Sequence, residues 1–327
     1  MRIIVDAMGG DHAPKEIIKG VLNAASKTDN TFILVGNKNE ISHYVENNAV
    51  INNQIEIVNA EQVITMDGDP LTAIQKKKDS SMVVALQLLA DEKGDALVSA
   101  GNTGALFSGA TLIVKRADGI KRAAIGTLLP GAKPCLLLDA GANVSVAEEY
   151  LEQFAVIGSS YMRTMYGINN PEVGILNNGT EEGKGTSLQI EAGKRLRRNE
   201  TINFVGNVEA SAVMAGVCDV VVCDGFTGNI FLKATEGMGK QILSSLKDAF
   251  SENMITKFSY SLVRKKIRKI KKRFDPSEHG GSPFLGISKP VIKAHGSSDA
   301  IAFENAIFQA IRYAESNIGC DDMKAEF

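Results

Sequence analysis

Short apolar, β-branched runs alternate with segments of helical period along most of the chain, and this alternation limits the fold more than any other feature. It is the pattern of βαβ units, which build a mainly parallel sheet covered by helices on both faces. Strands are expected at Arg2–Asp6, Phe32–Val35, Ile55–Asn59, Ala96–Ser99, Ala124–Leu128, Cys135–Asp139, Val173–Asn177, Ile202–Val205 and Val217–Cys223. Uninterrupted runs such as LLLD and VVVCD suit strands buried on both sides. Helices are expected after Pro14 and across Ser80–Ala90, Ala147–Met165, Thr186–Arg198, Asn229–Phe250 and Ser298–Ser316. No Pro- or Ser-rich linker divides the 327 residues, so one compact domain or two closely packed lobes fit equally well.

Several of these strands run into a polar, glycine-containing turn just before a helix. In chain order the turns are Asp6–Pro14 (DAMGGDHAP), Ser99–Ala105 (SAGNTGA), Asp139–Asn143 (DAGAN), Asn177–Gly185 (NNGTEEGKG), Cys223–Asn229 (CDGFTGN) and Lys293–Asp299 (KAHGSSD). In an open parallel sheet such turns gather along one edge, outside the carboxyl ends of the strands, where these folds bind ligands. Backbone N–H groups at Gly9, Gly10, Gly104, Gly179 and Gly228 would form a floor for an anion, with phosphate the natural guest. Any one of these glycines could merely permit a tight turn. Six turns rich in Asn, Thr, Asp and His ask for more than that.

Several chemistries are disfavoured. The position that a P-loop fills with its first Gly holds Asn178, and Lys184 is followed by Gly185 where Ser or Thr is needed. The first βα turn reads GGDHAP, so a nicotinamide cofactor has no support. Cys135, Cys218, Cys223 and Cys320 form no CxxC pair and have no His at ligand spacing, which argues against zinc and redox motifs. Without a GxSxG elbow or a cysteine beside a histidine there is no evident acyl-enzyme nucleophile, which favours direct attack by a bound substrate. Inorganic phosphate would serve, since it brings its own nucleophilic oxygen. Among the histidines, His43 is expected on a surface helix and His279 in a loop. His12 beside Asp11, and His295 near Lys293, sit in strand-end turns and could act as base, acid or anion donor.

The charge is uneven. The whole chain carries −2, which does not suggest nucleic acid as a partner. Between Leu246 and Phe274, however, ten basic residues face two acidic ones, a net of +8 that leaves −10 on the rest. Apolar residues there recur at helical spacing: Ile255, Phe258 and Leu262, then Val263, Ile267, Ile270 and Phe274. A polar break at Ser251–Asn253 or Thr256–Ser261 could fold the two stripes into a hairpin. Such a basic amphipathic segment suits an anionic membrane surface or an acidic carrier protein; it would equally suit a solvated helix packed on the domain or a second subunit. No stretch approaches the roughly 20 apolar residues of a membrane span, and the amino terminus lacks a signal-peptide core. A reduced, cytoplasmic location is expected.

The opening MRIIVDAMGGDHAP, then SAGNTGA, LLLDAGAN, ILNNGTEEGKG, VVVCDGFTGN and PVIKAHGSSD, in this order and over nearly the whole chain, closely resemble the bacterial phosphate acyltransferase family of phospholipid synthesis, PlsX. The resemblance implies transfer of a long fatty acyl group from acyl carrier protein to inorganic phosphate, with the acyl phosphate passing to a membrane-embedded glycerol-3-phosphate acyltransferase. It implies no cofactor and no metal. It further implies a three-layer α/β/α Rossmann-like fold related to phosphotransacetylases and isocitrate dehydrogenase-like enzymes, as a homodimer attached peripherally to the inner face of the membrane. Residues 1–327 would form one catalytic domain, with 240–280 protruding as the basic hairpin. An acyl-coenzyme A-dependent enzyme, or a non-catalytic binding protein recruited to membranes, are the alternatives. One departure stands out: after DAGAN the chain reads VSVAEEYLEQFA where relatives often carry a Pro, leaving the entry of that helix open.

On this basis phosphate is expected on the N–H groups of Gly9, Gly10 and Gly228 with Lys184, Asn229 and Lys293. His12 or His295, oriented by Asp11 or Asp299, would move the proton, and Asn102, Thr103 or Asn177 would donate to the oxyanion. Asp6, Asn143, Gly179, Thr180, Glu181, Asp224, Thr227 and Ser298 complete the expected site through membership of the same turns.

Overall fold

The computed structural model describes residues 1–45, 52–67, 69–274 and 280–316. Its elements in chain order are β1 (Arg2–Asp6), α1 (Lys15–Ala25), β2 (Thr31–Gly36), α2 (Lys38–Val45), β3 (Ile55–Asn59), α3 (Pro70–Lys76), α4 (Ser81–Ala90), β4 (Ala96–Ser99) and α5 (Thr103–Gly109), which continues into a π turn at Ala110–Val114. Then follow β5 (Ala124–Leu129), β6 (Cys135–Leu138), α6 (Glu148–Tyr166), β7 (Glu172–Asn177), α7 (Ser187–Arg198), β8 (Asn203–Glu209), α8 (Ala210–Ala215) and β9 (Val220–Val222). The long α9 (Gly225–Ser251) and α10 (Met254–Phe274) precede β10 (Ser282–Leu285), β11 (Val291–Lys293) and α11 (Ala300–Glu315).

One sheet takes the order β3-β2-β1-β4-β11-β10-β5-β6-β9-β7-β8. Its strands divide the apolar residues between two faces, as the two-residue period of a strand requires. Ile3 and Val5 belong to one core, against α1, α6, α7 and α11, while Ile4 belongs to the other, against α4, α5 and α9. Both cores run the length of the sheet, and LLLD and VVVCD lie buried within it, so three α/β/α layers result.

The sheet is mostly parallel, as expected, but its parallel strands fall into two sets. β1, β2, β3, β4 and β11 are mutually parallel, as are β6, β9, β7 and β8. Between the sets, β10 runs antiparallel to both β11 and β5, and β5 antiparallel to β6. The turns therefore do not line one edge of a single parallel sheet. Apolar runs carry no direction, so the sequence could not reveal this reversal. β10 and β11 carry little sequence signal, being four and three residues long, and β10 contains Pro283, a residue normally confined to edge strands.

Local chemistry sets most helix starts. The side chains of Ser80, Asn102, Thr186, Asp224 and Asp299 each cap a helix, and Thr186 forms a full capping box with Gln189. α6 begins at Ala147 with no side-chain cap, but Glu148 and Glu149 place negative charge on its first turn, which favours the same entry. α9 starts at Gly225, four residues before the expected Asn229, because Asp224 accepts from the Thr227 N–H at 2.8 Å. α9 ends at Ser251 and α10 starts at Met254, so the hairpin turns at the first of the two expected breaks, and Thr256–Ser261 lies within a helix. Among the described residues no helix is long and apolar enough to cross a membrane.

Helices α1 and α11 meet at Gly20, where a Cβ would stand 2.9 Å from the Ala300 carbonyl oxygen and 3.1 Å from Phe303 Cβ. Gly20→Val should therefore lower unfolding free energy by roughly 1–3 kcal/mol through overpacking, read as a lower denaturant midpoint. An unchanged midpoint would show that this seam has room to spare.

Candidate active site

The turns after β1, β4 and β11 lie side by side because those strands are neighbours. Asp6 ends β1 with its side chain buried; its Oδ2 accepts from Ser99 Oγ at 2.7 Å, and its Oδ1 has no hydrogen-bond partner among the described residues. Burial pushes the Asp6 carboxyl up, against the hydrogen bonds of Ser81 and Ser99. Gly9 lies directly over it: a Cβ there would sit 2.5 Å from Asp6 Oδ2 and 2.8 Å from the Gly101 nitrogen, so only glycine fits. The Asp11 N–H donates to the Gly296 carbonyl at 2.8 Å, tying the first turn to the last.

Lys293, at the end of β11, is 7% exposed, and its Nζ donates to the carbonyls of Ala100, at 3.2 Å, and Ala294. Burial lowers its pKa to about 8; Asp6 and Asp11 oppose this and Lys233 reinforces it. His295 is exposed. Its Nδ1 lies 2.9 Å from Ser297 Oγ and accepts the Ser297 N–H at 3.2 Å, which places the ring proton on Nε2 as a donor. Partial burial, then Lys233 and Lys293, hold its pKa below the ordinary histidine value. Asp299 is engaged in capping α11 through Ala302, not in orienting His295. His12 and Asp11 are exposed; Ser298 is buried, its N–H donating to the His295 carbonyl. Asn102 caps α5 through Oδ1 and donates Nδ2 to the Met66 carbonyl at 2.6 Å, while Thr103 opens that helix, exposed.

The second group forms at the ends of β6 and β9. Asp139, fully buried, accepts through Oδ1 from the N–H groups of Ile125, Gly141 and Ala142, and through Oδ2 from Asn143 N and Nδ2. Asn143 Nδ2 also donates to the Ala123 carbonyl. Against this loop α9 makes its close start: the Gly225 N–H donates to the Asn143 carbonyl at 2.7 Å, and a Cβ on Gly228 would overlap the Asp139 carbonyl oxygen. Asp224 and Thr227 bond to each other through both N–H and hydroxyl. Asn229, exposed, lies beside Gly141.

The third group is the loop after β7. Asn177 donates Nδ2 to the Lys184 carbonyl, Lys184 N–H donates to the Glu181 carbonyl, and Asn207 reaches Glu181 from β8. Gly179 is buried beneath the Glu181 and Lys184 side chains, whereas Thr180, Glu181 and Lys184 stand in solvent.

Helix α9 links the first two groups. Asn229 touches the β6 turn, and one helical turn later Lys233 is close enough to depress both Lys293 and His295. Lys233, ion-paired with Glu236 at 3.0 Å, was not among the expected residues, and neither were Ser99 and Asp139. Asp139 and Ser99 stand in the quoted motifs; Lys233 becomes visible only as the next residue on the face of α9 that holds Asn229.

A model of the fatty acid synthesis protein family matches residues 1–320. Phosphate acyltransferases from Brevibacillus brevis and Thermoanaerobacter pseudethanolicus are 46% and 44% identical to the chain, each over 97% of it and 95% of their own length. The chain belongs to this family. The fold, but not the sequence, also resembles a solved phosphotransacetylase from Streptococcus pyogenes, with a TM-score of 0.63 at 16% identity over 96% of this chain and 94% of that one.

Asp139 is the residue on which the second group hangs. Asp139→Ala would leave the buried N–H groups of Ile125 and Asn143 and the half-buried N–H of Ala142 unpaired, at about 1 kcal/mol or more each, so roughly 3 kcal/mol of stability should be lost in denaturant unfolding. A loss below about 1 kcal/mol would mean that the loop re-satisfies its donors without the carboxylate.

Proposed function

We propose that this protein is a phosphate acyltransferase that moves a long-chain fatty acyl group from acyl carrier protein to inorganic phosphate. The observation that carries this reading is the likeness to phosphate acyltransferases over nearly the whole of both chains. The site chemistry agrees with it: a glycine-walled turn over buried Asp6, buried Lys293 beside it, and α9 bringing Lys233 to the same place. Phosphate would rest on the N–H groups of Gly9 and Gly10 with Lys293; the Gly228 N–H, expected to join them, is instead donated to the Asp224 carbonyl within α9, and Asn229 and Lys184 would approach from the start of α9 and from the loop after β7. His295, with Nε2 as donor, would stabilise the oxyanion formed when phosphate attacks the thioester. The thiolate leaves without strong acid catalysis, its conjugate pKa being about 8.5.

Acyl-phosphate formation, followed as phosphate-dependent thiol release, should fall by about 10²-fold or more in His295→Ala and Lys184→Ala, and less in His12→Ala. Turnover near wild type in all three would remove them from the mechanism. Offering acyl carrier protein and coenzyme A thioesters in parallel identifies the donor; preference for the coenzyme A ester would overturn the carrier assignment.

We further propose that residues 1–327 act as one catalytic domain, with α9 and α10 as a protruding hairpin that meets the anionic inner face of the membrane, where a glycerol-3-phosphate acyltransferase would take the product. Met254, Ile255, Phe258 and Leu262 are exposed at its turn, beside the basic run. Val263 and Ile267 are half-buried on a helix that packs against α9, and the side chain of Ile270 lies outside the described residues, as do His279 and Cys320. The exposed stripe Phe226, Ile230, Met238 and Ile242 on α9 supports assembly as a homodimer. Ile255→Glu with Phe258→Glu should abolish co-sedimentation with vesicles containing anionic phospholipid while sparing soluble turnover. Undiminished sedimentation would eliminate the membrane role.

A further inference from the structure

Thioester phosphorolysis needs one proton moved twice. Hydrogen phosphate attacks the acyl carbon through an oxygen, the new C–O bond forms, and the C–S bond breaks with its electron pair leaving on sulfur. The phosphate's remaining proton must go to a base, and the same proton neutralises the thiolate, so nothing is oxidised or reduced and the enzyme returns to its starting state. A group suited to both steps holds its proton about as tightly as a thiol does.

The histidines fit this task poorly. His295 Nδ1 already accepts the Ser297 N–H, which leaves Nε2 carrying a proton as a donor. His12 stands exposed in solvent. Lys293 fits better. Its two carbonyl acceptors, Ala100 and Ala294, match the two hydrogens of a neutral amine and leave the lone pair free. The charged groups acting on it come from three directions: Asp6 at the end of β1, Asp11 in the following turn and Lys233 on α9. Beside it Asp6 Oδ1 is buried and unpartnered among the described residues, a position from which a carboxylate can steady the ammonium once it forms.

We propose that Lys293 takes the proton from attacking phosphate and returns it to the departing sulfur, with Asp6 as its positioning and electrostatic partner. This rests on the phosphate acyltransferase reading above. With a pKa of about 8, lowered chiefly by burial, Lys293 lies close to the roughly 8.5 of a thiol, so both transfers run nearly level.

The test is the pH profile of phosphate-dependent thiol release. For the wild type, kcat/KM should fall as pH drops through about 8, because only the neutral amine accepts a proton. Lys293→Arg keeps the charge but cannot give up its proton; it should lose roughly 10²–10⁴-fold in kcat, lack this limb, and bind phosphate with a KM near wild type. Two exposed variants give a readout that does not depend on Lys293→Arg folding. Asp11→Asn removes a charge that raises the lysine pKa and should shift the limb to lower pH; Lys233→Gln removes one that lowers it and should shift the limb to higher pH. His295→Ala should leave the limb in place. A limb unmoved by both charge variants, retained in an active Lys293→Arg, or abolished in His295→Ala overturns the assignment while leaving the acyltransferase reading intact. Wild-type protein that releases no thiol in response to phosphate overturns that reading, and this inference with it.

Discussion

The packing of α9 onto the Asp139 loop is the contact on which the site and the hairpin both depend. Gly228 must lie against the Asp139 carbonyl for the helix to start where it does, and Asp139 in turn holds the loop by gathering buried donors onto one carboxylate. From that seat the axis is fixed. At 1.5 Å per residue Lys233 lies about 13 Å along it from Asp224, and the 27 residues carry the hairpin turn about 40 Å from the start. The two ends thus answer to one steric constraint: a shift of the helix at Gly228 would move Lys233 relative to Lys293 and the basic segment relative to the body.

The opposition of burial and charge explains the character of the first group of turns. Asp6 and Lys293 would each hold its charge firmly in water. Here burial outweighs their mutual attraction for both, raising the acid and lowering the base toward their neutral forms. Such pairs contribute little to stability, because desolvation cancels most of the Coulomb gain. Their value lies in a proton that can be moved at small cost beneath a turn that only glycine lets pack so closely over Asp6. The strand ends supply the rigidity: Ala100 and Ala294 directly follow the neighbouring parallel strands β4 and β11, and their carbonyls fix the amine without help from mobile side chains.

The sequence was most legible where local chemistry decides the outcome. β1, β3 and β4 have the bounds their apolar runs imply, and the helices capped by Ser80, Thr186 and Asp299 begin as those caps dictate. It was least legible where the outcome depends on partners distant in the chain. β9 shrinks to Val220–Val222 because only those residues find neighbours on β6 and β7, while β8 runs on to Glu209 across a register shift with β7. The resemblance named the turns that matter but could not say that Asp299 is committed to a cap, that Asn177 braces its own loop, or that the His295 ring is already turned into a donor. Each of those facts is a hydrogen bond whose geometry no spacing encodes.

The charge division acquires a physical sense from the same geometry. A body carrying −10 is repelled by an anionic surface, and at physiological ionic strength that repulsion fades over about 8–10 Å. The apolar residues at the hairpin turn stand about 40 Å along α9 from its start, while Arg264–Arg273 lie on α10 roughly 15–30 Å back from that turn, along the flank of the hairpin. The apolar residues divide accordingly. Val263 and Ile267 turn partly inward, on the helix that packs against α9 and closes the hairpin, while Ile255, Phe258 and Leu262 remain exposed near its turn. An exposed apolar cluster beside basic residues is costly in water and would be favourable at a membrane interface, which is the physical basis of the membrane role proposed above. The near-neutral total is the sum of an acidic body and a basic helical segment, two surfaces whose charges cancel only in the count.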